Sequence, residues 1–182
     1  MKIIHLPNGK IETVNLWLRR PIPTDVFSLS SLWKNEKIRQ FLGGVVSDEI
    51  INKKITSLQD HWNQHGFGQW VVCEKNEQVI GICGLHYSED GIEISYMFFP
   101  LFWGRGWACE AALASLDFGF NVLGLSSIIA ITQEANEKSC RLLERIGMKH
   151  INNLWRFTAN QRLYELTHGE WAIKKPNVKT IV

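Results

Sequence analysis

The chain has 182 residues, 45% of them hydrophobic, which suits one domain with a substantial core. Its 20 basic and 18 acidic residues leave a formal charge of +2, and no run of five like charges argues for a nucleic-acid partner. No stretch approaches the roughly eighteen apolar residues of a membrane span, and the apolar start, Met1 to Pro7, is too short for a signal peptide.

In chain order, Ile3 to Leu6 and Ile11 to Arg19 read as strands around Pro7-Asn8-Gly9-Lys10, where Asn-Gly is a strong hairpin signal. Thr24-Asp25 can cap a helix with Val26, Leu29 and Trp33 on one face. Gly43-Gly44 breaks the chain. Ser47-Asp48 then opens a second helix with Ile51, Ile55, Leu58 and Trp62 as its apolar stripe, ending near Gly66. Three strands follow, Gln69 to Lys75, Val79 to Leu85 and Gly91 to Phe98, the first two joined by the turn Asn76-Glu77-Gln78. The next helix turns Leu113, Leu116 and Phe120 inward and ends near Gly124. Ser126 to Thr132 is a short isoleucine-rich strand, and Asn136 caps a helix that stops at Gly147. Strands around Asn153–Thr158 and Gln161–Leu166 come last, before a capping box in Thr167-His168-Gly169-Glu170. This order predicts one mixed α/β domain over residues 1–175, with a loose tail over 176–182.

The stretch from Phe98 to Ala111 is the most informative. A strand runs through Pro100 into a turn with Gly104 and Gly106, and a helix follows at once. Such glycines let a backbone approach a ligand, and the first amides of a helix suit a phosphate. A plain tight turn is the alternative. Among phosphate loops, no Gly-Lys-Ser or Gly-Lys-Thr is present for a nucleotide triphosphate. The dinucleotide fingerprint fails at Cys109, where its third glycine would stand. Trp103-Gly104-Arg105-Gly106-Trp107-Ala108 fits the pyrophosphate loop [QR]-x-x-G-x-[GA] at its fourth and sixth positions and departs at Trp103.

The four cysteines, 73, 83, 109 and 140, are widely spaced without a C-x-x-C, so no metal site is expected. Cys73 and Cys83 lie in apolar runs, as buried thiols in a reducing cytoplasm would.

Four stretches together resemble the GNAT superfamily of acyl-CoA N-acyltransferases, and most nearly its RimJ/RimL branch of ribosomal-protein N-terminal acetyltransferases. They are Leu18-Arg19 with Pro23-Thr24-Asp25; Gly66 to Trp70 with Ile80 to Leu85; Glu93-Ile94-Ser95-Tyr96 through Ala111; and Asn136 to Ser139 with Leu142 to Met148. The resemblance implies a splayed mixed sheet flanked by helices, with acyl-CoA in the gap beyond the strand ending at Phe98. The pantetheine arm would run along Met97, Phe98 and Phe99, and the pyrophosphate would sit on amides of Gly104, Arg105, Gly106, Trp107 and Ala108, behind Trp103. The Arg105 side chain could reach a phosphate or remain a solvated loop cation. Asn136 would cap its helix and also touch the cofactor arm.

Acyl transfer to an amine needs a base, a polarised carbonyl and a neutralised thiolate. The resemblance implies a glutamate base at Glu93; a strand-edge glutamate paired with a surface Lys or Arg is the alternative. By strand alternation Glu93, Ser95 and Met97 share one face, while Ile92, Ile94, Tyr96 and Phe98 share the other. Many of these enzymes use a tyrosine acid where this chain has Leu143, which cannot donate. Ser139 interrupts the apolar stripe Leu142, Leu143, Ile146, so its hydroxyl could bond the cofactor's thioester or thiolate sulfur, or simply its own helix backbone. His86 is an alternative base. Tyr96 and Tyr164 are alternative donors, Tyr96 reading more readily as core. Trp33, Trp62, Trp103 and Trp107 could wall an acceptor pocket, with core packing as the default.

The function expected is acetyl transfer from acetyl-CoA to a protein N-terminus or small amine by direct attack, in a monomer or homodimer that engages neither nucleic acid nor membrane. A catalytically silent acyl-CoA sensor is the alternative. A protein acceptor would need an open groove between Gly43-Gly44 and the last hairpin.

Overall fold

The structure is a computed structural model and describes residues 2–6, 9–174 and 179–181. Pro7 and Asn8 of the expected hairpin turn lie outside them. The flanking strands β1 (Lys2–Leu6) and β2 (Lys10–Glu12) do pair antiparallel, with Leu6 opposite Lys10. The expected strand from Ile11 to Arg19 is two strands. Thr13 folds back on Leu16, its amide donating to the Leu16 carbonyl at 3.0 Å, so β3 (Leu16–Arg19) turns to pair with β2.

Asp25 does not cap the first helix. Its buried carboxylate holds Arg19 through two bonds of 2.7 Å and accepts the Ile22 amide, so a 3-10 turn precedes α1 (Val26–Trp33). The helix therefore buries Leu29, Leu32 and Trp33, while Val26 is exposed. A short helix α2 (Glu36–Arg39), capped by Asn35, was not foreseen. Helix α3 (Asp48–His65) begins at Ser47, whose hydroxyl accepts the Ile50 amide, and ends at Gly66 in the left-handed conformation. It buries Ile51, Ile55 and Trp62.

Strands β4 (Gln69–Glu74), β5 (Val79–Ser88) and β6 (Gly91–Phe98) form an antiparallel meander. Helix α4 (Trp107–Asp117) follows the glycine loop and runs into a π-turn at Phe118–Val122. Then come β7 (Ser127–Gln133), α5 (Glu137–Arg145), the hairpin of β8 (Lys149–Arg156) and β9 (Ala159–Thr167), and α6 (His168–Lys174). The Thr167–Glu170 capping box forms, the Thr167 amide donating to the Glu170 carboxylate at 3.0 Å and the Glu170 amide donating back to the Thr167 hydroxyl. Part of the expected loose tail lies outside the described residues. Lys179–Ile181 runs as a strand, β10, parallel to β1.

Among the described residues the strands make one ten-stranded mixed sheet, ordered β10-β1-β2-β3-β4-β5-β6-β7-β9-β8. Helices α1 to α3 cover one face over Val71, Cys73 and Ile82. The other face packs Trp70, Val72, Cys83, Leu85 and Ile94 against Ala111, Leu116 and Leu143 of α4 and α5. The centre of the sheet is where the pairing fails. The parallel strands β6 and β7 share a single rung, Glu93 opposite Ile129, and then diverge.

One glycine sets the spacing beside that divergence. A Cβ on Gly84 would stand 2.6 Å from the Gln69 Cα and from the Gly68 carbonyl. The Gly84→Ala substitution should therefore destabilise the domain by about 1–3 kcal/mol, read as a lower midpoint in urea unfolding.

Candidate active site

Because β6 leaves β7 after Glu93, its edge from Ser95 to Phe98 has no strand partner on that side. Main-chain polar groups so exposed need partners. The Phe98 carbonyl has one: the Trp103 indole donates to it at 2.7 Å. The Phe99 amide is committed the other way, donating to Ile80 of β5 at 3.0 Å. Met97 has its side chain among the helices on the α1–α3 face.

The glycine loop lies past the end of this open edge. Gly104 (φ 76°) and Gly106 (φ 82°) are both left-handed, and a Cβ on either would meet nothing within 4 Å. Space is thus left on the side where each glycine lacks a side chain. No side chain caps α4, and the first amide to bond back is that of Glu110, to the Gly106 carbonyl at 3.0 Å. The preceding amides, through Trp107 and Ala108, open at the positive end of the helix. Glu110 would oppose an anion there, but its carboxylate is bound to Asn15 by two bonds of 2.8 Å. The Arg105 guanidinium lies over the rings of Phe102 and Trp107, 5.6 and 4.9 Å from their centres. The loop thus offers amides and open space to a diphosphate.

On the α1–α3 face of β6, the Glu93 side chain is only 16% exposed. Burial pushes its carboxyl up to about 7, and the nearby negative charge of Asp90 adds to this. The Ser88 hydroxyl, the Arg156 charge and the Ile131 amide oppose the shift. Arg156 also binds Asp90, tying the β8–β9 hairpin to the turn before β6. His86 stands opposite Glu93 on β5, its Nε2 3.9 Å from the Glu93 Oε2. Burial pushes this imidazole down to about 4, so it is neutral at pH 7.

On the opposite face, the Tyr96 and Ser139 hydroxyls lie 2.8 Å apart. That bond joins β6 to the first turn of α5, and so reaches across the divergence. The Asn136 side chain accepts the Ser139 amide at 3.3 Å, the expected cap. Burial raises the Tyr96 phenol, so it remains protonated. Leu143 is core, 1% exposed. Tyr164 instead donates to Glu144 at 3.1 Å. Tyr96, an alternative donor that reads more readily as core, packs against the core on this face; its place opposite a helix hydroxyl depends on how α5 docks, which no local pattern encodes. Trp33 and Trp62 are buried, while Trp103 is 41% exposed beside the loop. A shallow groove of about 560 Å³ on the outer face of α3, between Glu49 and Gln64, is lined by α3 residues alone and includes none of these groups. Among the described residues no group of three His, Cys, Asp or Glu could hold a metal, and no helix is long and apolar enough to cross a membrane.

A splayed parallel pair with an amide-rich helix mouth at its end is the frame of an acyl-CoA acetyltransferase. The family model for the acetyltransferase (GNAT) domain matches residues 15–149, and the chain belongs to that family. It is 27% identical over 146 residues to an uncharacterised N-acetyltransferase of Bacillus subtilis, YoaA, covering 76% of this chain and 82% of that one. A second Bacillus subtilis relative, YkkB, is 32% identical over 124 residues, covering 63% and 72%. Among solved structures, an acetyltransferase from Agrobacterium tumefaciens superposes with a TM-score of 0.79 at 22% identity, over 86% of this chain and 93% of that one. A spermidine N-acetyltransferase from Vibrio cholerae, solved with CoA and spermine, has a TM-score of 0.77 at 19% identity, over 88% and 99%. The chain is an acyl-CoA-dependent acetyltransferase, and its fold is the mixed α/β GNAT domain expected.

The buried carboxylate has a measurable cost. An acid whose pKa is higher folded than unfolded binds more protons when folded, so stability falls as pH rises from about 4.5 to about 7. The Glu93→Gln variant lacks this term. Against wild type it should gain roughly 2–3 kcal/mol between pH 5 and pH 8, measured by urea unfolding at both values.

Proposed function

We propose that the chain moves an acetyl group from acetyl-CoA to a primary amine by direct attack in a ternary complex, with Glu93 as the base. The observation that carries this reading is a buried carboxyl, its pKa raised by that burial, at the one rung where β6 and β7 pair beside an open strand edge. Bound acetyl-CoA supplies a thioester carbonyl to attack and a thiolate to expel. The amides of Gly104, Arg105, Gly106, Trp107 and Ala108 would hold its diphosphate, with Trp103 beside them. The β6 edge at Met97, Phe98 and Phe99 would take its arm as an added strand, and Asn136 would border that arm. Arg105 would have to leave its two aromatic rings to touch a phosphate, so the amides carry the site.

Glu93 removes a proton from the acceptor's ammonium form, directly or through one water, for which a pKa close to the working pH is matched. Ser139, backed by the Tyr96 phenol, directs a hydroxyl at the departing sulfur. Because Tyr96 holds its proton tightly, the pair serves as a hydrogen-bond donor rather than a proton source. A covalent route through cysteine finds no support. Burial drives Cys83 up to about 12 and raises Cys73 and Cys109, which disfavours the thiolate.

The stretches matching the RimJ/RimL type favour an N-terminal amine on a protein, and small amines, including polyamines, belong to the same chemical class. All four cysteines are free thiols, which supports a cytoplasmic setting.

The test is a thiol-release screen with acetyl-CoA against N-terminal peptides and small amines. With an accepted amine, the rate should rise with pH through about 7, and Glu93→Gln should slow it by about 10²–10⁴ at pH 7. A variant as fast as wild type would remove Glu93 as the base. Acetyl-CoA at roughly 100-fold above its Kd should also raise the melting temperature by about 5–11 °C, and Gly106→Val should abolish most of that rise.

A further inference from the structure

Two rungs of the sheet lie side by side next to the candidate base. One is Gln69–Gly84–Ser95, running across β4, β5 and β6; the next is His86–Glu93–Ile129, across β5, β6 and β7. Gly84 has no side chain, so the Gln69 side chain crosses the middle strand unobstructed. Its Nε2–H donates to the Ser95 Oγ.

That bond bears on where the protons go. Ser95 accepts from Gln69 on one lone pair, and its other neighbour is the His86 Nδ1 at 3.4 Å, to which its hydroxyl proton can point. A neutral imidazole that accepts at Nδ1 carries its proton on Nε2. His86 Nε2 is the atom facing the Glu93 Oε2, at 3.9 Å, a gap that one water or a small rotation closes.

We propose that His86 is a positioning residue for the base: Gln69 and Ser95 fix it as the Nε2–H tautomer, which aims a neutral donor at the Glu93 carboxylate. The proposal rests on Glu93 being the base, and it removes His86 as a rival base, since Nδ1 is capped and Nε2 already carries a proton. It also explains how a buried carboxylate stays usable. Such a donor favours the ionised form, against burial, without bringing a full charge into the cleft.

Other charged and titratable groups bear on the same pair. Glu93 faces Asp90 from the turn before β6 and Arg156 from β8. Glu165 of β9 stands on the same face beyond Ile129. His61 of α3 acts on His86, but both of its ring nitrogens are engaged, Nδ1 with the Phe67 carbonyl at 2.8 Å and Nε2 accepting the Tyr87 amide at 3.2 Å. None of the four offers a neutral donor to Glu93; the Ser88 hydroxyl and the Ile131 amide do, and His86 adds to them.

The first measurement is made on the wild-type chain alone. Long-range ¹H–¹⁵N spectra at pH 7 should show His86 neutral with its proton on Nε2; a proton on Nδ1, or an imidazolium, overturns the proposal. The second follows the Glu93 side-chain carboxyl by ¹³C NMR across pH in wild type, His86→Phe and His86→Gln. His86→Phe keeps the bulk and removes the donor, so the midpoint should rise by about one pH unit. His86→Gln, which returns an N–H near the same place, should bring it back. An unmoved midpoint in His86→Phe overturns the proposal even if that variant is active. Neither measurement needs the acceptor. If both come out as expected and Glu93→Gln is still as fast as wild type in the thiol-release assay, the base assignment has failed and the tautomer assignment stands.

Discussion

The structure depends on one interruption: β6 and β7 pair at Glu93 and Ile129 and nowhere further along. A sheet that stops pairing in its middle leaves main-chain donors and acceptors without partners, where a continuous sheet would satisfy them. The chain answers part of that need itself. Trp103 bonds the Phe98 carbonyl, and the Tyr96–Ser139 bond links the two sides of the opening below. What remains open is an edge of the right character for an extended, hydrogen-bonding arm, ending at a helix mouth whose amides are uncapped. The interruption thus leaves an open edge that ends beside an uncapped helix mouth.

Strand alternation then sorts the chemistry. Successive residues of β6 point to opposite faces, so Glu93 and Ser95 stand on the α1–α3 side while Tyr96 stands on the α4–α5 side. A group lying in the gap would meet a carboxylate from one side and a hydroxyl from the other. Proton removal from an attacking amine and support of a departing sulfur need such opposed positions, because nucleophile and leaving group approach the carbonyl from different directions. Two short, separate polar networks on one strand serve this better than a single cluster, in which base and donor would neutralise one another.

Much of this was legible in the residues. The element order, the glycine loop, the caps at Ser47 and Asn136 and the Thr167–Glu170 box follow from local rules, and local rules need no partner at a distance. The misreadings share a different cause. Asp25 satisfies the local signature of a helix cap, but Arg19, six residues back, offers two charge-assisted bonds, and the carboxylate turns to it. Ile11 to Arg19 looks like one strand because its polar break at Thr13 to Asn15 is short, yet Thr13 closes a turn on Leu16 that only the sheet order makes worthwhile. Helix α2 is a single turn, too short for any periodicity to reveal. The Gln69–Ser95 contact spans 26 residues and crosses the middle strand at Gly84. A glycine in a strand is legible as a close approach; what approaches is not.

The position of Glu93 shows why such a site sits in the weakest part of the sheet. A carboxyl left in water would titrate near its ordinary value and be a poor base for an ammonium group; one sealed in the core would stay protonated and be no base at all. Glu93 lies between these limits because β7 pairs with β6 there and leaves it immediately beyond. Burial raises its pKa, and the parting strands leave the opening through which, on the proposed reading, an acceptor amine would reach it. On the proposed reading, the basicity of the site would follow from sheet register, set by the pairing of Glu93 with His86 on one side and Ile129 on the other.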